Sequence, residues 1–178
     1  MAVAQDTFNQ YRQIGFNGQV STIDVADIVS GSMNDPVAFA RAVVRGSVDR
    51  TFDVVTGSTV AGDIAGITVR TLAAESNSIP VNPAAYEFGY GEGEHASVLR
   101  RGRMYAICTG GASTNDTVHV VINVAGGEEL GQLRGVATDS GGASPVPYTI
   151  ELNQAKWIYD VADGEVGEIQ LDGILATA

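Results

Sequence analysis

The sequence predicts a mainly β protein: an antiparallel β-sandwich or β-barrel body carrying an extended N-terminal arm. Three observations support this. Glycines number 22 in 178 residues and are scattered, so they punctuate short runs rich in β-branched residues. Several of those runs alternate apolar and polar positions with a period of two, as half-buried strands do. The chain before about Ser32 is different in kind: it is polar, with lone aromatics and no sustained period. The expected organisation is an arm over 1–32 and a single β-rich domain over 33–178.

In chain order, the arm holds Phe8, Tyr11 and Phe16 and then the short run "GQVSTI". Next comes the segment that resists assignment, "NDPVAFARAVVRG". Asp35-Pro36 is a helix-start signal and Gly46 a possible stop. Yet Val37, Phe39, Arg41 and Val43 also alternate, so local pattern leaves helix and strand evenly matched. "RTFDVVTG" and "DIAGITVRTL" follow as strands, the second setting Ile67 and Val69 against Thr68 and Arg70. "GRMYAICTG" and "DTVHVVINV" repeat the pattern, with Val118 and Val120 against Thr117 and His119. "LRGVAT" and "PYTIEL" are shorter. The ending "KWIYDVADGEVGEIQLDG" reads as two strands of a hairpin joined across Asp163-Gly164.

Composition excludes several classes of function. The chain carries 21 acidic and 10 basic residues, a net charge of −11, with no basic stripe interleaved with aromatics. Such a chain repels phosphate backbones and anionic membranes, so neither nucleic acid nor a membrane is an expected partner. Nine of the ten basic residues are arginine and Lys156 is the lone lysine, which favours planar pairing at interfaces over plain solubility. No apolar run approaches a membrane span, and "MAVAQDTFNQYRQ" lacks the parts of a secretory signal. The single cysteine, Cys108, cannot form an intrachain disulfide and sits in an apolar run.

The stretch "YEFGYGEGEHASVLRRGRMYAI" most resembles chemistry. Its glycines have the wrong spacing for a dinucleotide cradle and lead into β-type sequence rather than a helix. Glu92, Glu94 and His95 could supply metal ligands, but Glu94 and His95 point oppositely if extended, and a solvated acidic loop is the commoner outcome. No G-x-S-x-G elbow occurs, and Cys108 has no charged residue near it in sequence to activate it. Neither a catalytic residue, a metal site nor a cofactor is therefore expected.

Four stretches, in order, resemble the capsid decoration or structural cement proteins of tailed bacteriophages: "IGFNGQVSTID", "DPVAFARAVVRG", "AGDIAGITVRT" and "EFGYGEGEHASVLRRGRMYAI". The resemblance spans about two-thirds of the chain, and its motifs are structural and glycine-based; Asp139 to Pro147 has no match in it. It implies a β-rich body on the outer surface of the virion capsid and an arm lying across neighbouring copies of the phage major capsid protein. It also implies self-association, as a homotrimer at local threefold positions or as a dimer. It resolves Val37–Arg45 toward strand.

On that basis Phe8, Tyr11, Ile14 and Phe16 are expected as capsid-binding anchors, because lone apolar groups in a polar segment have no local core. Arg12 is the expected bidentate partner for capsid carboxylates. Arg100, Arg101 and Arg103 are candidates for the contact between copies, or else a solvated strand face. The competing class is a carbohydrate-binding or adhesion β-module on a virion or cell surface, with Tyr148, Trp157 and Tyr159 as a stacking face.

Overall fold

The computed structural model describes residues 15–21, 25–77, 88–124, 129–137 and 148–172. Among the described residues, eleven strands, one short α-helix and a 3-10 turn over Ala61–Asp63 are formed: β1 (Asp27–Met33), β2 (Val37–Ala38), β3 (Ala42–Arg45), β4 (Thr51–Val54), β5 (Ile64–Thr68), α1 (Leu72–Asn77), β6 (Gly89–Tyr90), β7 (His95–Thr109), β8 (Thr117–Val121), β9 (Leu133–Arg134), β10 (Thr149–Trp157) and β11 (Val166–Leu171). The mainly β expectation is met. Six residues of the segment expected as an arm, 27–32, run within β1.

Nine strands form one sheet in the order β1-β4-β3-β5-β7-β11-β10-β8-β9, and additional pairings join β1 to β7 and β7 to β9. The ladder therefore closes twice, into two rings of strands that share β7. Closure matters because it leaves few unpaired backbone edges for unwanted strand addition. Most pairings are antiparallel, including the β1–β7 pair that closes the first ring, but β1–β4 and β7–β9 are parallel. The antiparallel pairing expected from short strands therefore holds for most of the sheet, and the two parallel pairs join strands that are not consecutive in the chain, which local periodicity does not encode.

β7 is the spine. Its 15 residues first turn Ala96 and Val98 into one core and then, past Gly102, turn Met104, Ala106 and Cys108 into another. The switch is built by a bulge: Asp27 pairs with Arg101 but Ile28 with Leu99, so Arg100 is the extra residue. Gly102 follows at φ 127, a conformation open to glycine and strained for other residues. The first core gathers Met33, Phe39, Val43, Phe52 and Tyr90 around Val98, with Phe39 edge-on to Tyr90 at 5.4 Å. The second gathers Leu152, Trp157, Ile169 and Leu171 around Met104 and Ala106.

The continuous strand expected over Val37–Arg45 is interrupted. β2 ends at Ala38 and β3 begins at Ala42, because Ala40 adopts φ 58. Buried Thr68 holds the break: its Oγ donates to the Ala38 carbonyl at 2.8 Å and accepts from the Arg41 N–H at 3.0 Å. The neighbouring run also ends early, since β5 stops at Thr68 and Leu72 opens α1, where the Ala74 N–H donates to Thr71 Oγ1. The C-terminal hairpin forms: β10 pairs with β11, and Gly164 at φ 76 sits in the connection.

Candidate interaction surfaces

Gly15–Ser21 is a strap fastened along β7, continuing the edge that β1 occupies. The Gly18 N–H donates to the Tyr105 carbonyl and the Tyr105 N–H to the Gln19 carbonyl, both at 2.8 Å, and the Ser21 N–H donates to the Arg103 carbonyl at 3.0 Å. Side chains reinforce these ladder bonds. Asn17 donates through Nδ2 to the Phe39 carbonyl and accepts through Oδ1 from the Ile107 N–H, each at 3.0 Å. Ser21 Oγ donates to Glu168 Oε1 at 2.6 Å, giving that 8 % exposed carboxylate a partner. Gly15 crosses so close to the Tyr105 ring that a Cβ there would overlap it. Burial, then the Glu168 carboxylate, raises the Tyr105 phenol above its ordinary pKa.

Phe16 projects from this strap. It is 59 % exposed, and the Arg70 guanidinium lies 4.9 Å over its ring. A cleft of about 420 Å³ opens between Phe16, Gln19, Arg70 and Leu72, and Leu72 is 84 % exposed. The root of the arm thus carries an apolar surface rimmed by a cation. Of the other expected anchors, Phe8, Tyr11, Arg12 and Ile14 lie outside the described residues.

The three arginines of β7 do not act as one group, because the bulge separates them. Arg100 has a largely covered side chain and pairs with Asp27 at 3.8 Å. It lines a cleft with Arg45 and Arg50, two residues that sequence reasoning did not single out. Their positions 50 or more residues before Arg100 gave no local signal; the β3–β4 connection brings them together. Arg101 and Arg103 instead line a separate groove of about 160 Å³ with Val25, Gln170 and Asp172.

The glycine-rich stretch is a tight turn. Glu94 accepts the Gly91 N–H at 2.8 Å through its carboxylate, and its own N–H donates to the Gly91 carbonyl at 3.1 Å. Gly93, at φ 77, donates to the Met33 carbonyl at 2.8 Å. Glu94 is therefore occupied with its own loop. Among the described residues no three His, Cys, Asp or Glu side chains are grouped as a metal ion would need. The stacking face proposed for a glycan is not assembled either. Trp157 is 0 % exposed with its Nε1–H donating to the Arg134 carbonyl at 3.2 Å, Tyr148 is buried, and only Tyr159, at 56 %, faces water.

Comparison with known proteins gives the fold a context. The fold matches a chain from the capsid of Myoviridae phage XM1 with a TM-score of 0.68 over 97 % of this chain and 98 % of that one, at 15 % sequence identity. A weaker similarity, with a TM-score of 0.45 and 8 % identity over 83 % of this chain and 95 % of the other, is to the head fiber gp8.5 N base of bacteriophage phi29. None of the curated proteins matches the chain. The family model described as structural cement protein (E217 gp24/Pam3 gp6) matches residues 4–172. By that match the chain belongs to the phage structural cement protein family, a component of the virion at the capsid surface.

Proposed function

We propose that this protein decorates the outer surface of an assembled phage head and clamps neighbouring major capsid subunits, with no enzymatic role. The observation that carries this reading is the extent of the family match, residues 4–172, which takes in the segment before the strap as well as the body. The functional arm of this reading is the part of residues 1–32 that precedes Gly15, since Gly15–Ser21 and β1 are both hydrogen-bonded to β7. The body is the rest, and copies assemble as homotrimers.

The physics of a clamp follows from its geometry. A body with closed strand rings is a stiff platform, and a strap fixes where the arm leaves it. Once the body touches one subunit, the arm meets the next at high effective concentration, so modest contacts add to strong binding. A specific contact buries about 800 Å² per partner. Binding the assembled lattice and not free subunits stabilises the lattice by linkage. The −11 net charge suits the outside of a shell whose lumen holds DNA. Phe8, Tyr11, Ile14 and Phe16 are the proposed apolar anchors and Arg12 the carboxylate partner, while Arg101 and Arg103 face a neighbouring copy.

The test is co-sedimentation of the protein with expanded and unexpanded shells, using the intact chain and a variant lacking residues 2–14. The intact chain is expected to pellet with expanded shells, and the truncated one to stay in the supernatant with an unchanged circular dichroism spectrum. Full binding by the truncated chain would refute the arm.

A further inference from the structure

The β3–β4 connection, "RGSVDR", places Arg45 and Arg50 beside Arg100 in a cleft of about 600 Å³. A second cleft of about 590 Å³ adjoins it and shares Arg45 and Arg100. Three of the ten basic residues of a −11 chain therefore converge on one surface. The acidic groups nearby are Asp49 and Asp63 in the lining and Asp27 against Arg100. Neither Arg45 nor Arg50 has an ion-pair partner among the described residues, and both are exposed. Exposed Val48 lines the first cleft together with these cations.

An acidic counterpart lies in the other ring. The β10–β11 connection carries Asp160, Asp163 and Glu165, all exposed, next to exposed Tyr159. Two of these carboxylates are already oriented: Asp160 Oδ1 accepts from the Thr114 N–H at 2.7 Å, and Asp163 Oδ1 accepts from the Gly110 N–H at 2.6 Å. Pre-oriented groups lose little entropy on binding. The cleft belongs to the first ring and this connection to the second, and among the described residues no ion pair joins them within one copy.

We propose that the Arg45–Arg50–Arg100 cleft receives the carboxylate-bearing β10–β11 connection of a second copy of this chain. Two copies at −11 repel unless opposite local charges meet, and this pair of surfaces supplies the required reversal of sign. Arginine is the suited cation, because its planar fork grips carboxylates bidentately. Exposed Val48 offers apolar cover for Tyr159. Because the two surfaces differ, the contact is head-to-tail, the kind that closes into a ring when its rotation permits. The proposal deepens the self-association in the proposed function and rests on that part alone, so its primary readout is the mass of the free chain.

The experiment measures molecular mass by sedimentation equilibrium on the full chain, at low and at high salt. Three samples are compared: wild type, Arg45→Glu/Arg50→Glu, and Asp163→Arg/Glu165→Arg. The wild type is expected above monomer mass, shifting toward monomer as salt screens the contact. Each variant alone should be monomeric with a native circular dichroism spectrum. An equimolar mixture of the two variants should regain a mass above monomer, because each supplies what the other lost. Arg45→Ala/Arg50→Ala, a milder change, replaces the reversal should that variant not fold. A monomeric wild type, a cleft variant of wild-type mass, or a mixture that stays monomeric would each overturn the proposal. So would loss of shell binding by the cleft variant at unchanged mass, which would assign the cleft to capsid carboxylates. Failure of the wild type to bind shells, with association intact, would instead count against the decoration reading.

Discussion

Asn17 is the best place to test whether the strap is a fixed root for the arm. Its amide makes two hydrogen bonds on opposite sides of the strap, donating to the Phe39 carbonyl and accepting from the Ile107 N–H. Asn17→Ala removes both while leaving the backbone bonds to Tyr105 and Arg103 available. At about 1 kcal/mol net for each bond, the strap should lose about 2 kcal/mol of local stability, or about 30-fold in its opening equilibrium. Hydrogen exchange reads this directly, because opening exposes the Gly18, Ser21 and Tyr105 amides. Their protection should fall about 30-fold, while amides in the β8–β10 ladder keep theirs and the thermal midpoint moves little. Unchanged exchange at Gly18 and Ser21 would refute the idea that Asn17 fastens the strap. An equal loss across β8 and β10 would show instead that strap and body open as one unit.

Other expectations follow from the same structure. Trp157→Ala should cost about 3–5 kcal/mol in urea unfolding, because a fully buried indole packed against Gly167 leaves a cavity; wild-type Trp157 fluorescence should be insensitive to added glycans or acrylamide. Glu129→Ala leaves Arg41, which is 6 % exposed and paired to Glu129 at 2.9 Å, without that partner, and should destabilise more than a typical surface substitution, by about 3 kcal/mol at most; a urea midpoint matching wild type would contradict this. Burial pushes the Cys108 thiol up from 9.0 to about 11, so this group's contribution to stability is full below pH 9 and lost as the pH rises toward 11; thiol labelling at pH 8 should be slow until denaturant is added. Burial lowers His119 below 6.5, so protonation favours the unfolded chain and stability falls as pH drops below that value; His119→Gln should flatten that part of the urea-midpoint profile between pH 7 and the acid limb.

Much of the fold was legible because strands announce themselves locally. The alternation around Val118 and Val120 became β8, and Asp163-Gly164 marked a connection that the structure places between β10 and β11. What escaped the sequence depends on distant partners. The break at Ala40 is held by Thr68, 28 residues on, and no period within "DPVAFARAVVRG" could reveal it. The parallel pairings β1–β4 and β7–β9 join strands that are not consecutive in the chain, which no local pattern announces. The candidate surfaces divide in the same way. Phe16 was visible as an aromatic without a local core, and it is exposed. Arg100, Arg101 and Arg103 looked like one cluster in sequence, but the bulge at Arg100 sends them to two grooves. Arg45 and Arg50 gained their significance only when β3 and β4 brought them to Arg100.

The central claim is that the segment before Gly15 joins this body to an assembled shell. Co-sedimentation with expanded shells, for the intact chain and the chain lacking residues 2–14, addresses it most directly. The account predicts saturable binding by the intact chain and loss of binding by the truncated one, both folded. Equal binding by the two, or no binding by the intact chain, would contradict it.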